Sequence, residues 1–285
     1  MTNRMMIKLS MFCFLPILAV HLSAQDRSAI KDSEDILNQF VLVRPPDYAG
    51  GCFDSVNASA LLIFTAATPP MMIGTQYQII TNSGQPIAGS LVELVPADSC
   101  GGPFTEMTSA VSFGALHVTT TLDWKYSLGA MIAIPTKVRK PNNIGTVNQY
   151  DDAALLKACK AIIKPLVPDS VHFDFASTRL ITTPDTHKHF IFIGVERYPG
   201  KERRLADDKD IEYTGFVFSL ARRKARLLIK EDGLENIFTI SDLNGNGEYE
   251  LGFSSGGSLS IGYGVRIFDG KQFKGACRFL YQAGD

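Results

Sequence analysis

Nine residues near the C-terminus, Asp242-Leu243-Asn244-Gly245-Asn246-Gly247-Glu248-Tyr249-Glu250, put oxygen-bearing side chains at the first, third and fifth places, glycine at the sixth and a carboxylate at the ninth. A hard divalent cation such as calcium takes about six to eight oxygens at flexible geometry, so a short loop serves it by pointing several side chains inward and adding a backbone carbonyl. On this spacing Asp242, Asn244 and Asn246 are the first, third and fifth ligands, Glu248 contributes its carbonyl and Glu250 its carboxylate. Gly247 allows the sharp turn among them. With two side-chain carboxylates, the expected affinity falls toward the weak extracellular range of roughly 10⁻⁴ to 10⁻³ M. An Asn-Gly-rich hairpin turn that binds nothing is the alternative.

Other chemistry is less well specified. His187 and His189 share metal-type spacing, but the sequence places them at a turn with no third ligand beside them, so a surface pair is the expectation. No Gly-x-Ser-x-Gly elbow occurs, and Ser254-Ser255-Gly256-Gly257-Ser258 reads as a flexible turn. A catalytic serine would need His117 or His172, neither of which sequence can place. Asp207, Asp208, Asp210 and Glu212 could supply acid and base, though charges packed so densely read as a hydrated loop. Arg222, Arg223, Lys224 and Arg226 form a positive hairpin tip, and Trp124 reads as core.

The cation loop must be held by strands. Ile237, Thr239 and Ser241 alternate with Phe238 and Ile240 before it, and Tyr249, Leu251 and Phe253 alternate after it. An EF-hand would need flanking helices and a glutamate at the twelfth place, where Phe253 stands. The strand-loop-strand pattern resembles the Asp-x-Asx-Gly-Asx-Gly-x-x-Glu calcium loop of FG-GAP and VCBS-type repeats, found in secreted bacterial proteins and propeller domains. The resemblance covers the loop and its flanks from Ile237 to Phe268. It departs from the family in having a single copy, in lacking the Phe-Gly and Gly-Ala-Pro signatures, and in carrying Asn244 and Asn246 where aspartates are usual.

Residues 1–24 read as a secretory signal peptide. Arg4 and Lys8 precede the apolar run from Met11 to Val20, and Leu22-Ser23-Ala24 precede Gln25. The run is too short to span a bilayer and no later stretch reaches the needed length, so the expected mature chain has no transmembrane segment. Removing Arg4 and Lys8 takes the formal net charge from −1 to −3, which gives no reason to expect a nucleic acid partner. Cysteines 52, 100, 159 and 277 remain after Cys13 is lost. An oxidising compartment suggests two disulfides, read as Cys52–Cys100 and Cys159–Cys277, each stabilising by roughly 3 to 5 kcal/mol in the chain-entropy picture. A buried Cys159 thiol is the alternative.

Two lobes follow, 25–148 and 149–285. In the first, a short helical pattern from Ser33 to Phe40 ends at Pro45-Pro46. Short β-type runs then follow at 60–64, 77–80, 91–95, 116–120 and 131–134, predicting a small β-barrel or sandwich. Residues 137–150 lack an apolar period and read as a linker, with Lys137, Arg139 and Lys140 solvated. The second lobe opens with an amphipathic helix over 151–164, capped by Asp151 or Asp152, with Leu155, Leu156, Cys159, Ile162, Ile163 and Leu166 on one stripe. Two sets of four β-runs follow, at 171–181, 190–196, 213–220 and 225–230, then at 237–241, 249–253, 262–268 and 273–280. They resemble paired propeller-type blades. Two blades cannot close a propeller, so the helix and the N-terminal lobe must cover their exposed faces.

The expected molecule is thus mainly β with minor α, secreted or periplasmic, and stabilised by calcium. Its expected role is that of a binding or structural module contacting a surface polymer or another protein. A secreted hydrolase with loop-borne catalytic groups is one rival, and a maturation or inhibitor-like accessory factor is another.

Overall fold

The computed structural model describes residues 35–46, 53, 58–68, 72–100, 109–124, 129–137, 143–168, 171–185, 187–199, 211–222, 224–257 and 260–284. Residues 1–24, expected to be a leader, and Cys52 lie outside these. Six antiparallel strands close a barrel in the order β1-β2-β5-β4-β3-β6: β1 (Val41–Arg44), β2 (Ala60–Thr65), β3 (Gln76–Ile80), β4 (Pro86–Pro96), β5 (Ala110–Val118) and β6 (Met131–Pro135). Closure removes sheet edges and gives every strand an inward and an outward face. Val43, Leu62, Tyr77, Leu91, Leu116 and Met131 join the interior cluster. Their neighbours Leu42, Leu61, Ile63 and Ile132 belong to a second apolar cluster shared with the other lobe. β1, β2 and β6 are therefore apolar at both parities, which explains why β2 and β6 read as continuous hydrophobic runs.

The second lobe begins with β7 (Thr146–Gln149), inside the stretch expected to be linker. Its polar sequence gives no strand period, and its pairing is supplied by β8, with Val147 opposite Ile181. α1 (Ala153–Ile163) follows, continued by a 3-10 turn from Lys164 to Leu166. The Asp152 carboxylate accepts from the Leu155 amide at 3.0 Å, which fixes the N-cap. Leu155, Cys159 and Ile163 pack on Ile191, Ile193, Val195, Phe216 and Phe218. Leu166, expected on the same stripe, is exposed because the 3-10 turn rotates it off that face.

β8 (Val171–Thr182), β9 (His189–Pro199), β10 (Glu212–Ala221) and β11 (Lys224–Asp232) complete a five-stranded antiparallel sheet, ordered β11-β10-β9-β8-β7. β12 (Leu234–Ser241), β13 (Tyr249–Gly256), β14 (Ser260–Phe268) and β15 (Phe273–Gly284) form a four-stranded antiparallel meander. The sheets stack face to face over Val147, Ile181, Phe192, Val217, Ile237, Ile240, Leu251 and Phe268. The outer face of the four-stranded sheet packs on the barrel through Phe238, Tyr263, Val265, Ile267 and Tyr281. The Arg44 guanidinium lies 4.8 Å from the Tyr263 ring centroid across this contact. The layers thus run helix, five-stranded sheet, four-stranded sheet, barrel. The helix and the barrel cover the two outer faces that the paired meanders cannot cover for themselves.

The Cys159–Cys277 pairing is corrected: both residues are free thiols. Cys159 sits beneath α1 on one face of the five-stranded sheet, and Cys277 packs into the cluster between the sheets on its other face. A whole sheet separates them, far beyond disulfide reach. Cys100 is not among the free thiols. Among the described residues no helix is long and apolar enough to cross a membrane.

Candidate metal centre

Ser241 and Glu250 are the last paired residues of β12 and β13, so residues 242–248 form the hairpin's closing loop. Gly245 and Gly247 take φ of +69° and +79°, left-handed values that coil the loop back over its own start and favour glycine. Leu243 is 7 % exposed and joins the cluster beneath the barrel, pinning the loop from below. Sequence reasoning missed this residue, although an apolar side chain between two ligand positions was the available signal.

The five expected ligand residues are brought into one loop but not to equal depth. Asp242 is 2 % exposed and Glu250 wholly buried; Asn244 is half-buried and Asn246 lies exposed at the rim. The two Asp242 oxygens accept from the amides of Asn246 (3.2 Å) and Gly247 (3.1 Å). Asn244 Oδ1 accepts from the Asn246 amide at 3.1 Å, and Asn246 Oδ1 from the Glu248 amide at 2.8 Å. Lys274 Nζ donates to Glu248 Oε1 at 2.6 Å. That ion pair engages the Glu248 side chain, which the spacing did not count among the ligands.

Glu250 is the unusual member. Its Oε2 accepts from Ser241 Oγ and from the Leu243 amide, each at 3.1 Å, whereas its buried Oε1 has no partner. Burial pushes its carboxyl up to about 7; the Leu243 amide and Ser241 hydroxyl at Oε2 oppose this, and the Asp242 charge adds to it. Burial likewise raises Asp242 against the pull of the Gly247, Gly245 and Asn246 amides, with Asp185 contributing repulsion. Two carboxylates sealed together repel each other and lack solvent, a cost that a bound dication removes. The orphaned Oε1 and the set of two carboxylates, two amides and a carbonyl fit a hard oxygen-seeking ion. Among the described residues no three His, Cys, Asp or Glu side chains converge as a metal cluster. A cation in this loop would take the rest of its donors from neutral oxygens.

The remaining candidates are dispersed. His187 and His189 are exposed, and His189 Nδ1 lies 3.0 Å from Thr182 Oγ1. His172 is exposed and stacks on Tyr198. Ser90 lies opposite His117 across β4 and β5, but on the outer face of the barrel, where its hydroxyl accepts from Gln76 Nε2 at 2.9 Å. Ser254 and Ser255, expected in a flexible turn, belong to β13. Ser254 is fully buried and donates to Glu235 Oε2 at 3.2 Å, because a long antiparallel neighbour, β14, pairs the whole stretch. Glu212 starts β10 and pairs with Arg197 at 3.0 Å, while Asp207, Asp208 and Asp210 lie outside the described residues. Arg222 occupies the turn between β10 and β11 with φ of +49°, and Arg223 lies outside the described residues. Trp124 packs against the barrel interior. No family model, curated protein or solved structure matches this chain.

Proposed function

We propose that this protein is an exported module of the cell envelope or extracellular space, stabilised by one calcium ion in the Asp242–Glu250 loop, and that its role is binding or structural. The single observation that carries the calcium reading is the buried, partnerless Oε1 of Glu250 at the base of a loop lined by further oxygens. Export is supported by the leader-type pattern of residues 1–24 and by the glycine-flanked cysteines, Cys52 and Cys100, proposed as a bridge. A binding or structural role is supported by β11, the edge strand of the five-stranded sheet among the described residues, and by Met72 and Ile73, which are 73 % and 66 % exposed on the barrel.

Thermal unfolding of residues 25–285 in EDTA and across micromolar to millimolar calcium tests this. At calcium about 100 times Kd, linkage gives about 2.7 kcal/mol. For a chain of this size that is a rise in Tm of roughly 5 to 10 °C. Asp242→Ala abolishes the response. An unchanged wild-type Tm up to 10 mM calcium would show that the loop is only a turn.

A further inference from the structure

We propose that the Asp242–Glu250 loop, when it holds calcium, is the clamp that joins the two lobes, so that the ion governs how barrel and sandwich are held together as well as the loop's own order. This rests on the calcium reading above and adds what the ion controls.

The observation is a junction of four chain segments at the start of the loop. Asp242, the first ligand, donates its own amide to the Asn143 carbonyl at 2.8 Å. One turn of pairing earlier, the Gly145 amide donates to the Ile240 carbonyl at 3.0 Å, and Ile144 bridges Ser241. Segment 143–147 is the chain's passage from the barrel into the five-stranded sheet, and its other side is held by the barrel. The Val147 amide donates to the Asn82 carbonyl at 2.9 Å, and Ser83 bridges Thr146 in the turn between β3 and β4. From the sandwich, Tyr249 Oη donates to Asp185 Oδ1 at 2.9 Å, tying the loop's far end to the turn between β8 and β9.

Packing leaves little slack at this junction. A Cβ on Gly145 would lie 2.2 Å from the Thr182 carbonyl oxygen, 2.8 Å from Ile240 Cγ2 and 3.2 Å from Pro184 Cδ. Ile144 and Leu243 are buried in an apolar cluster that spans both lobes. Bringing the Asp242 and Glu250 side chains out to solvent would lift the 242–248 loop, and that movement breaks the Asp242–Asn143 bond and withdraws Leu243 from the shared cluster. The buried, partnerless Glu250 Oε1 is what drives such opening without the ion, and ligation opposes it. The coupling therefore runs through backbone hydrogen bonds and one apolar plug, both contiguous with the ligands.

Amide hydrogen exchange on residues 25–285, in EDTA and in calcium at about 100 times the Kd measured by titration calorimetry with calcium chloride, tests the clamp. If release of the ion is needed to open the junction, exchange of the Gly145 and Val147 amides slows about 100-fold with calcium, in step with Asp242 and Gly247. Calorimetric binding with slowing confined to 242–250 would overturn the clamp and leave the calcium module standing. Absence of binding would overturn both.

Discussion

Glu235 and Glu250 belong to adjacent strands, and burial pushes both carboxyls above their ordinary 4.5. For Glu235 the Ser254 hydroxyl opposes the shift and the Glu196 charge adds to it. The folded state therefore holds the Glu235 proton after the unfolded chain has released it. Its contribution to stability is full below pH 4.5 and is lost as pH rises through the higher folded value. In EDTA, melting of the wild type should fall as pH rises from 4.5, and Glu235→Gln should flatten that slope; an unchanged slope would place Glu235 in solvent. Glu250→Gln should erase the Tm response to calcium while raising stability in EDTA, since an amide carries no charge to bury. At this scale the loop's oxygen-bearing residues and its left-handed glycine at 247 were legible in the sequence, because side-chain chemistry and glycine geometry are local. The depth of Glu250 and the plug formed by Leu243 were not, since burial is set by segments distant in the chain.

The helix shows what an element carries in its own sequence. Its period and its stop at Pro165 were readable, with the cap narrowed to Asp151 or Asp152; the structure selects Asp152, and the observed helix starts one residue after it. Asp152→Ala should lower stability by about 1 kcal/mol, seen as a lower urea midpoint at unchanged m-value. No change would show that the cap bond at Leu155 is not made in solution. Strands were legible where an apolar period was present: the two sets of four runs fall within β8 to β11 and β12 to β15. β1 and β7 were missed for one physical reason. Each has four residues and takes its strand identity from partners far along the chain, Ile63 and Ala133 for β1 and Ile181 for β7. Cys159 and Cys277 show the same limit: even parity suggested a bridge, whereas a sheet lies between them.

Across the whole molecule, stability depends on close approach of stacked sheets. A Cβ on Gly194 in β9 would lie 2.0 Å from the Glu235 carbonyl oxygen and 2.4 Å from Ser177 Oγ, which itself donates to that carbonyl at 2.7 Å. Backbone meets backbone here, so a flexible side chain cannot give way. Gly194→Ala should cost about 3 kcal/mol, whereas Gly257→Ala, whose Cβ would approach Ser260 Oγ no closer than 3.4 Å, should leave the urea midpoint nearly unchanged. Equal effects would mean that the sheets stand further apart in solution. The layered order also puts the 242–248 loop where the barrel, segment 143–147 and both sheets meet, which is the geometry the proposed clamp requires.

The sequence alone determined the β-rich class, the helix with its cap, the two four-run meanders and the identity and order of the loop's oxygens. Each depends on local periodicity, backbone sterics or side-chain chemistry, which neighbouring residues encode directly. Only the tertiary structure decided that the N-terminal strands close a barrel, that the meanders stack, that Cys159 and Cys277 remain apart, and that the 242–248 loop sits against the passage between lobes. Those outcomes come from which apolar faces bury one another, and that choice belongs to the complete set of surfaces in the chain.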